Sequence, residues 1–237
     1  MPTVRLQSVT KSYRKRDRDH KGPAVSDINF QFDQGDFIFL TGSRGAGKTT
    51  LMDLIAGELT PDQGAVFVDE VNLRRLGMVQ RARYRRSVGR VHQDSQLVKN
   101  QTVLQNLSGD GFLQKLRGQR EIRQRALKCL GLVGMTGFEF RYPAEMNTSQ
   151  CKRVELAKAI LYTPSILLLD EITERTDEDT VWDILHLLTE LNDRLNTTII
   201  MATNASQVIN IMRKRVVTLS DGRIVGDVRK GRLGYIN

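Results

Sequence analysis

The sequence is poor in the residues that staple small secreted domains or anchor proteins in membranes. Only two cysteines occur in 237 residues, Cys129 and Cys151. They fit no metal-ligand spacing and suggest no disulfide framework, so they read as free thiols in a reducing compartment. No apolar run approaches the roughly 18–20 residues needed to cross a bilayer; the strongest run is short, Ile166 to Leu169. The start, Met1-Pro2-Thr3-Val4-Arg5, lacks the apolar core of a signal peptide. The expectation is a cytoplasmic protein, with any membrane attachment made through a partner. Aromatic residues are 6% of the chain and do not interleave with the basic clusters, as stacking on bases would favour, which argues against a nucleic-acid partner. The formal charge is nevertheless +9, from 36 Lys and Arg against 27 Asp and Glu. Its clusters, Arg14 to Lys21, Arg74 to Arg86, Lys115 to Arg125 and Arg213 to Arg215, suit a peripheral domain beneath an acidic bilayer better.

A chain of this length suits one α/β domain, or one such domain carrying a helical insertion. Val4 to Leu6 reads as a short strand, and Ile28 to Phe32 alternates like a half-buried one. Phe37 to Leu40 is a continuous apolar run, as expected of a buried parallel strand. Further strands are expected at Ala65 to Val68, Val88 to Val91, Ile166 to Leu169, Thr198 to Met201 and Val216 to Leu219. Helices are expected at about Lys48 to Ala56, Glu178 to Asn192 and Ser206 to Met212. Strands alternating with helices imply a mostly parallel sheet. Residues 95–160 have helical patterning, clearest at Glu121 to Leu130, and little strand signal. They read as a helical subdomain inserted into one α/β core made of residues 1–94 and 161–237. There is no internal repeat, low-complexity segment or flexible linker.

Gly42-Ser43-Arg44-Gly45-Ala46-Gly47-Lys48-Thr49 matches the phosphate-loop pattern GxxxxGK[ST]. It follows an expected strand and opens an expected helix, which is the context the motif needs. Glycines let the backbone wrap a phosphate without Cβ clashes, and consecutive N–H groups at a helix N-terminus then point at the anion. Lys48 can reach the β and γ phosphates, the Thr49 hydroxyl can ligate Mg2+, and Thr50 completes the nucleotide-binding segment. Ile166 to Leu169 then runs into Asp170-Glu171. The strand carries Asp170 to the edge of the sheet beside the phosphate loop, where it can hold the Mg2+ shell. Glu171 follows where it can polarise an attacking water.

With these motifs in this order, the chain resembles the ABC-transporter ATPases nearly end to end. That resemblance implies a P-loop NTPase core with a mostly parallel sheet, an N-terminal antiparallel β element and an inserted helical subdomain, with ATP and Mg2+ as ligands. It places Tyr13 where an aromatic stacks on adenine. It places Gln93 in the glutamine loop, which links Mg2+ and attacking water to a membrane partner. Arg83-Tyr84-Arg85-Arg86-Ser87-Val88-Gly89, Asn100-Gln101-Thr102-Val103, Met212 to Val216 and Asp221 to Val225 are most similar to the cell-division subfamily FtsE. This implies a homodimer, or a heterodimer with a complete second ATPase, docked on an FtsX-like integral membrane subunit at the cytoplasmic face of the inner membrane. Lipoprotein-releasing and macrolide-exporting ATPases are close alternatives.

Three stretches depart from the family pattern. The signature Leu-Ser-Gly-Gly-Gln is replaced by Met146-Asn147-Thr148-Ser149-Gln150. In the family this loop closes on the γ-phosphate bound by the opposite subunit. Two Cβ atoms are added there, at a strain of about 1–2 kcal/mol if either position requires φ > 0. Asn147 can donate a hydrogen bond as the usual serine would, and Asn or Thr can cap the following helix. Asn204 stands where the family has a histidine that reaches the γ-phosphate; its amide is shorter and carries no charge. Loss of such a donor commonly slows the reaction about a hundredfold or more. Finally, Ile172-Thr173-Glu174-Arg175-Thr176-Asp177 keeps only the aspartate of the expected dimer-interface loop. Two readings follow: an ATPase with Glu171, Gln93 and Asn204 at its catalytic centre, or a nucleotide-gated docking module with little turnover.

Overall fold

The computed structural model describes residues 3–13, 22–109, 119–174 and 176–231. The Arg14 to Lys21 cluster, the first part of the Lys115 to Arg125 cluster and Arg175 lie outside the described residues. In chain order the elements are β1 (Val4–Lys11), β2 (Val25–Phe32), β3 (Phe37–Thr41), α1 (Lys48–Ile55), β4 (Gln63–Val68), β5 (Val71–Asn72), α2 (Met78–Ser87) and β6 (Val88–Val91). There follow α3 (Val103–Ser108), α4 (Gln119–Leu132), α5 (Thr148–Ile160), β7 (Ile166–Asp170), α6 (Glu178–Leu195), β8 (Thr198–Ala202), α7 (Ser206–Met212), β9 (Arg215–Ser220) and β10 (Arg223–Val228).

The strands form two sheets. One is four-stranded and antiparallel, in the order β2-β1-β4-β5. The other is six-stranded, in the order β10-β9-β3-β8-β7-β6, and is parallel except at the β10 edge. Its inner strands are buried on both faces, which explains why they read as unbroken apolar runs. Successive side chains divide between two cores. Phe37, Phe39, Leu167, Leu169, Ile199 and Met201 face a core shared with α5 and α6. Ile38, Leu40, Ile166, Leu168, Ile200 and Ala202 face one shared with α1 and the antiparallel sheet. α1 buries Leu51, Met52, Leu54 and Ile55 there, so the helix that follows the phosphate loop is wedged between the sheets.

The stretch between β6 and β7 contains helices and no strand among its described residues. α2 and β10 were among the elements not visible in the sequence. α2 is rich in arginine and buries only Tyr84, so no apolar stripe announces it. β10 is an edge strand with Val225 and Val228 exposed, held by antiparallel pairing to β9 rather than by burial. No helix is long and apolar enough to cross a membrane among the described residues.

Candidate nucleotide site at the carboxyl edge of the sheet

Four adjacent parallel strands, β3, β8, β7 and β6, end in register, with Leu40 opposite Ala202, Asp170 opposite Ala202, and Leu169 opposite Val91. The residues just past those ends are the phosphate loop, Asn204, Glu171 and Gln93. This is the edge where ligands bind in open α/β sheets, because the loops there diverge and leave a crevice.

The loop's shape depends on glycine at two places. Gly47 has φ +100° as it enters α1, and a Cβ there would lie 2.4 Å from Ala24 O. Gly42 has φ +147°, and a Cβ would lie 2.3 Å from Leu219 O. Both approaches are to backbone and allow no side chain. Ser43, Arg44 and Gly45 form the exposed tip, and Ala46 is buried beneath it. The Lys48 side chain is buried and its Nζ donates to Gly42 O at 2.6 Å and to Ser43 O at 3.2 Å. With the loop curled around it, the ammonium occupies the space an anionic phosphate would share.

Thr49 Oγ1 donates to Asp170 Oδ2 at 2.7 Å, joining the phosphate loop to the end of β7. Asp170 is buried, with the Arg90 guanidinium 3.8 Å away. Arg90 itself pairs with Asp53 at 2.7 Å, so one β6 side chain bridges α1 and β7. Asp53, Glu58 and His92 converge as a possible metal set, but Arg90 already supplies the positive charge at Asp53.

Glu171 adopts φ +53°, a conformation costing about 1–2 kcal/mol for a residue with a Cβ. Its N–H bonds Ala202 O at 3.1 Å, which fixes the turn. The turn aims the carboxylate at the site: Oε2 accepts from Gln93 Nε2 at 2.6 Å, and Oε1 lies 3.9 Å from Lys48 Nζ. Partial burial, then the charge of Glu174, pushes the Glu171 carboxyl above the usual range, while Lys48 opposes the shift. A carboxylate with raised proton affinity beside a lysine has the character of a general base.

Tyr13 is 58% exposed and its hydroxyl lies 3.2 Å from Thr50 Oγ1 on α1, which ties the end of the ring to the helix after the phosphate loop. Asn204 does not point away from the loop: Oδ1 accepts from Gly42 N at 3.1 Å and Nδ2 donates to Gly42 O at 3.0 Å. Asn147 is apart from these residues, at the start of α5. It caps that helix, accepting from Gln150 N at 2.8 Å, while Gln150 Oε1 accepts from Asn147 N at 3.1 Å. Thr148 and Ser149 are the first helical residues and neither has positive φ, so the added side chains cause no backbone strain. Asp177 caps α6 and comes within 3.5 Å of Ser149 Oγ.

The connection made by Lys152 was among those not legible in the sequence. Lys152 is buried on α5 and donates to the carbonyls of His92 and Gln93, each at 2.6 Å. Glu155 lies 3.7 Å from Lys152 and accepts from Gln96 N at 2.7 Å. The pair pins the Gln93 loop to the helix that begins at Asn147. Charged residues three apart on the buried face of a helix were the only available signal.

The family model described as "ABC transporter" matches residues 25–174, a span that holds the phosphate loop, Gln93, the Asn147 cap and Glu171. The chain belongs to the ABC transporter family. As an ABC cassette it is similar to the "Cell division ATP-binding protein FtsE" of Streptococcus pneumoniae, 33% identical over 237 residues and covering 99% of both chains. It is also similar to the "Methionine import ATP-binding protein MetN" of Bartonella henselae, 36% identical over 208 residues, 87% of this chain and 60% of that protein. Among solved structures, the dimeric ATP-binding cassette MJ0796 bound to ADP and Pi superposes with a TM-score of 0.86. It is 29% identical, and the alignment covers 97% of this chain and 100% of that one. The cassette is therefore an ATP-binding domain of the ABC type, with the mixed, mostly parallel sheet and antiparallel β element of that fold.

Proposed function

We propose that this cassette binds ATP with Mg2+ and hydrolyses it as the nucleotide-binding subunit of an FtsE–FtsX-like complex. The observation that carries the reading is Glu171, held by Gln93 at 2.6 Å and facing Lys48 at 3.9 Å. Tyr13 stacks on the base, and the N–H groups of the loop and the start of α1 receive the phosphates. Lys48 exchanges its loop carbonyls for phosphate oxygens. Thr49, Asp170 and the Gln93 amide oxygen would offer the hard oxygen donors that suit Mg2+, and the hydrogen bond of 2.7 Å between Thr49 and Asp170 brings two of these residues together. When bound, that ion supplies charge neutralisation at the phosphates. Glu171 takes the proton from a water as its oxygen bonds to the γ-phosphorus and the bond to the bridging oxygen breaks, leaving ADP and phosphate. Gln93 orients Glu171 and the water.

The similarity to FtsE over the full length supports a role in cell division and septal cell-wall remodelling. The membrane subunit, FtsX-like, holds two copies of the cassette together at the cytoplasmic face of the inner membrane. Asn147 and Asn204 favour a second reading, a nucleotide-gated docking module or one half of a heterodimer. Both side chains are engaged within their own chain rather than left open towards a partner's nucleotide. Steady-state ATP hydrolysis by the purified chain, beside Glu171→Gln and with a nucleotide titration of both, separates the readings. The ATPase reading predicts turnover that rises more than linearly with chain concentration and falls about 100-fold or more in Glu171→Gln, with binding retained. Saturable binding with turnover no greater than that of Glu171→Gln would leave the docking module.

A further inference from the structure

Asn204 makes two hydrogen bonds to the backbone of a single residue, Gly42. Oδ1 accepts from the Gly42 N–H at 3.1 Å and Nδ2 donates to the Gly42 carbonyl at 3.0 Å. Only a primary amide carries an acceptor and a donor side by side in the geometry that matches the backbone N–H and C=O of one residue; a carboxylate only accepts, and an imidazole has its nitrogens on opposite sides of the ring. The contact spans 162 residues of sequence, so it is a tertiary tie and not local turn chemistry. It is held firmly at both ends. Thr203 N bonds Leu40 O at 3.2 Å, and Ala205 N bonds Thr203 Oγ1 at 3.1 Å, which fixes the strand exit that carries Asn204. Gly42 is confined by its φ of +147° and by Leu219 O.

The same Gly42 carbonyl accepts from Lys48 Nζ at 2.6 Å. Once Lys48 turns to a phosphate, Asn204 remains as that carbonyl's partner, so the loop keeps its shape while its lysine moves. We propose that Asn204 is a positioning residue for the phosphate loop: it latches the Gly42 backbone and sets the resting place of Lys48, and it does not report on the terminal phosphate. This rests on the nucleotide site described above. Any nucleotide that fills the loop with its β-phosphate benefits equally from the latch, so Asn204 contributes alike to nucleoside diphosphate and triphosphate binding.

The test is the affinity of the full chain for ADP and for ATP with Mg2+, in the wild type, Asn204→Ala and Asn204→Asp, read beside amide exchange at Gly42 without nucleotide. The latch predicts that Asn204→Ala weakens ADP and ATP by the same factor, about threefold to tenfold, and leaves their ratio unchanged. Gly42 amide exchange speeds up in Asn204→Ala, while Asn204→Asp keeps the acceptor and so keeps much of the amide's protection. Loss of ATP affinity alone, with ADP binding and Gly42 exchange as in the wild type, would overturn the proposal and make Asn204 a γ-phosphate donor. A wild-type chain that binds neither nucleotide would refute the site itself, whereas unchanged Gly42 exchange in Asn204→Ala refutes only the latch.

Discussion

The end of β3 and the start of α5 meet their ligand demands in opposite ways. At the end of β3 the backbone is kept bare: Gly42 and Gly47 approach neighbouring carbonyls where no Cβ fits, and Lys48 lies folded against loop oxygens that a phosphate can replace. At the start of α5 the chain carries polar side chains, and it uses them on itself. Asn147 and Gln150 close a capping box, and Ser149 reaches Asp177. One end is built for an incoming anion; the other is satisfied before any partner arrives. On the proposed reading nucleotide binding is a property of the single chain, while the polar groups at the start of α5 already have partners within it.

The link between the two ends offers the largest effect. Lys152→Met leaves Glu155 buried without its cation and removes the donor to the His92 and Gln93 carbonyls. We expect a loss of about 3–5 kcal/mol in stability, seen in thermal melts. The fraction that still folds should bind nucleotide but turn it over slowly, because Gln93 no longer holds Glu171. If turnover per folded chain is unchanged, α5 does not position the Gln93 loop.

A smaller effect concerns pH. Glu171 must be deprotonated to accept a proton, and burial together with Glu174 raises its proton affinity. Turnover should therefore fall as pH is lowered, along a limb lying above that of an ordinary glutamate. In Glu171→Gln that limb should vanish. A rate profile whose acid limb is the same in both chains assigns the base elsewhere.

The smallest effect belongs to the α5 start. Asn147→Ala removes one cap and should cost about 1 kcal/mol of stability. In a domain of this size that lowers the melting point by roughly 2–4 °C. Affinity for ATP in the isolated chain should not change, since the hydrogen bonds of Asn147 are made to its own helix. A parallel loss of affinity would merge the two regions into one.

What the sequence revealed follows the range of the forces involved. The buried strands and α1 could be read because burial on both faces leaves continuous apolar runs and the phosphate loop has a fixed spacing. The ordered ends of β3, β6, β7 and β8 then bring Lys48, Gln93, Asp170 and Glu171 together, as their motifs implied. α2 stayed hidden because Tyr84 is its one buried side chain. The Arg90 bridge, the Lys152–Glu155 pair and the Asn204–Gly42 contact stayed hidden for another reason. Each joins polar residues from separate elements, and periodicity carries no trace of such pairs. The capping role of Asn147 was legible because it is local, and since Thr148 and Ser149 lie in the helix it opens, neither needs positive φ.

The most direct test of the contrast is to titrate Glu171→Gln with ATP and Mg2+ while following bound nucleotide and molecular mass in the same samples, by binding and sedimentation. The account predicts one nucleotide bound per chain while the mass remains that of a single chain, with pairing appearing only at much higher protein concentration. Doubling of the mass in step with nucleotide saturation would contradict it, because the start of α5 would then close on a second chain's nucleotide as readily as the phosphate loop receives its own.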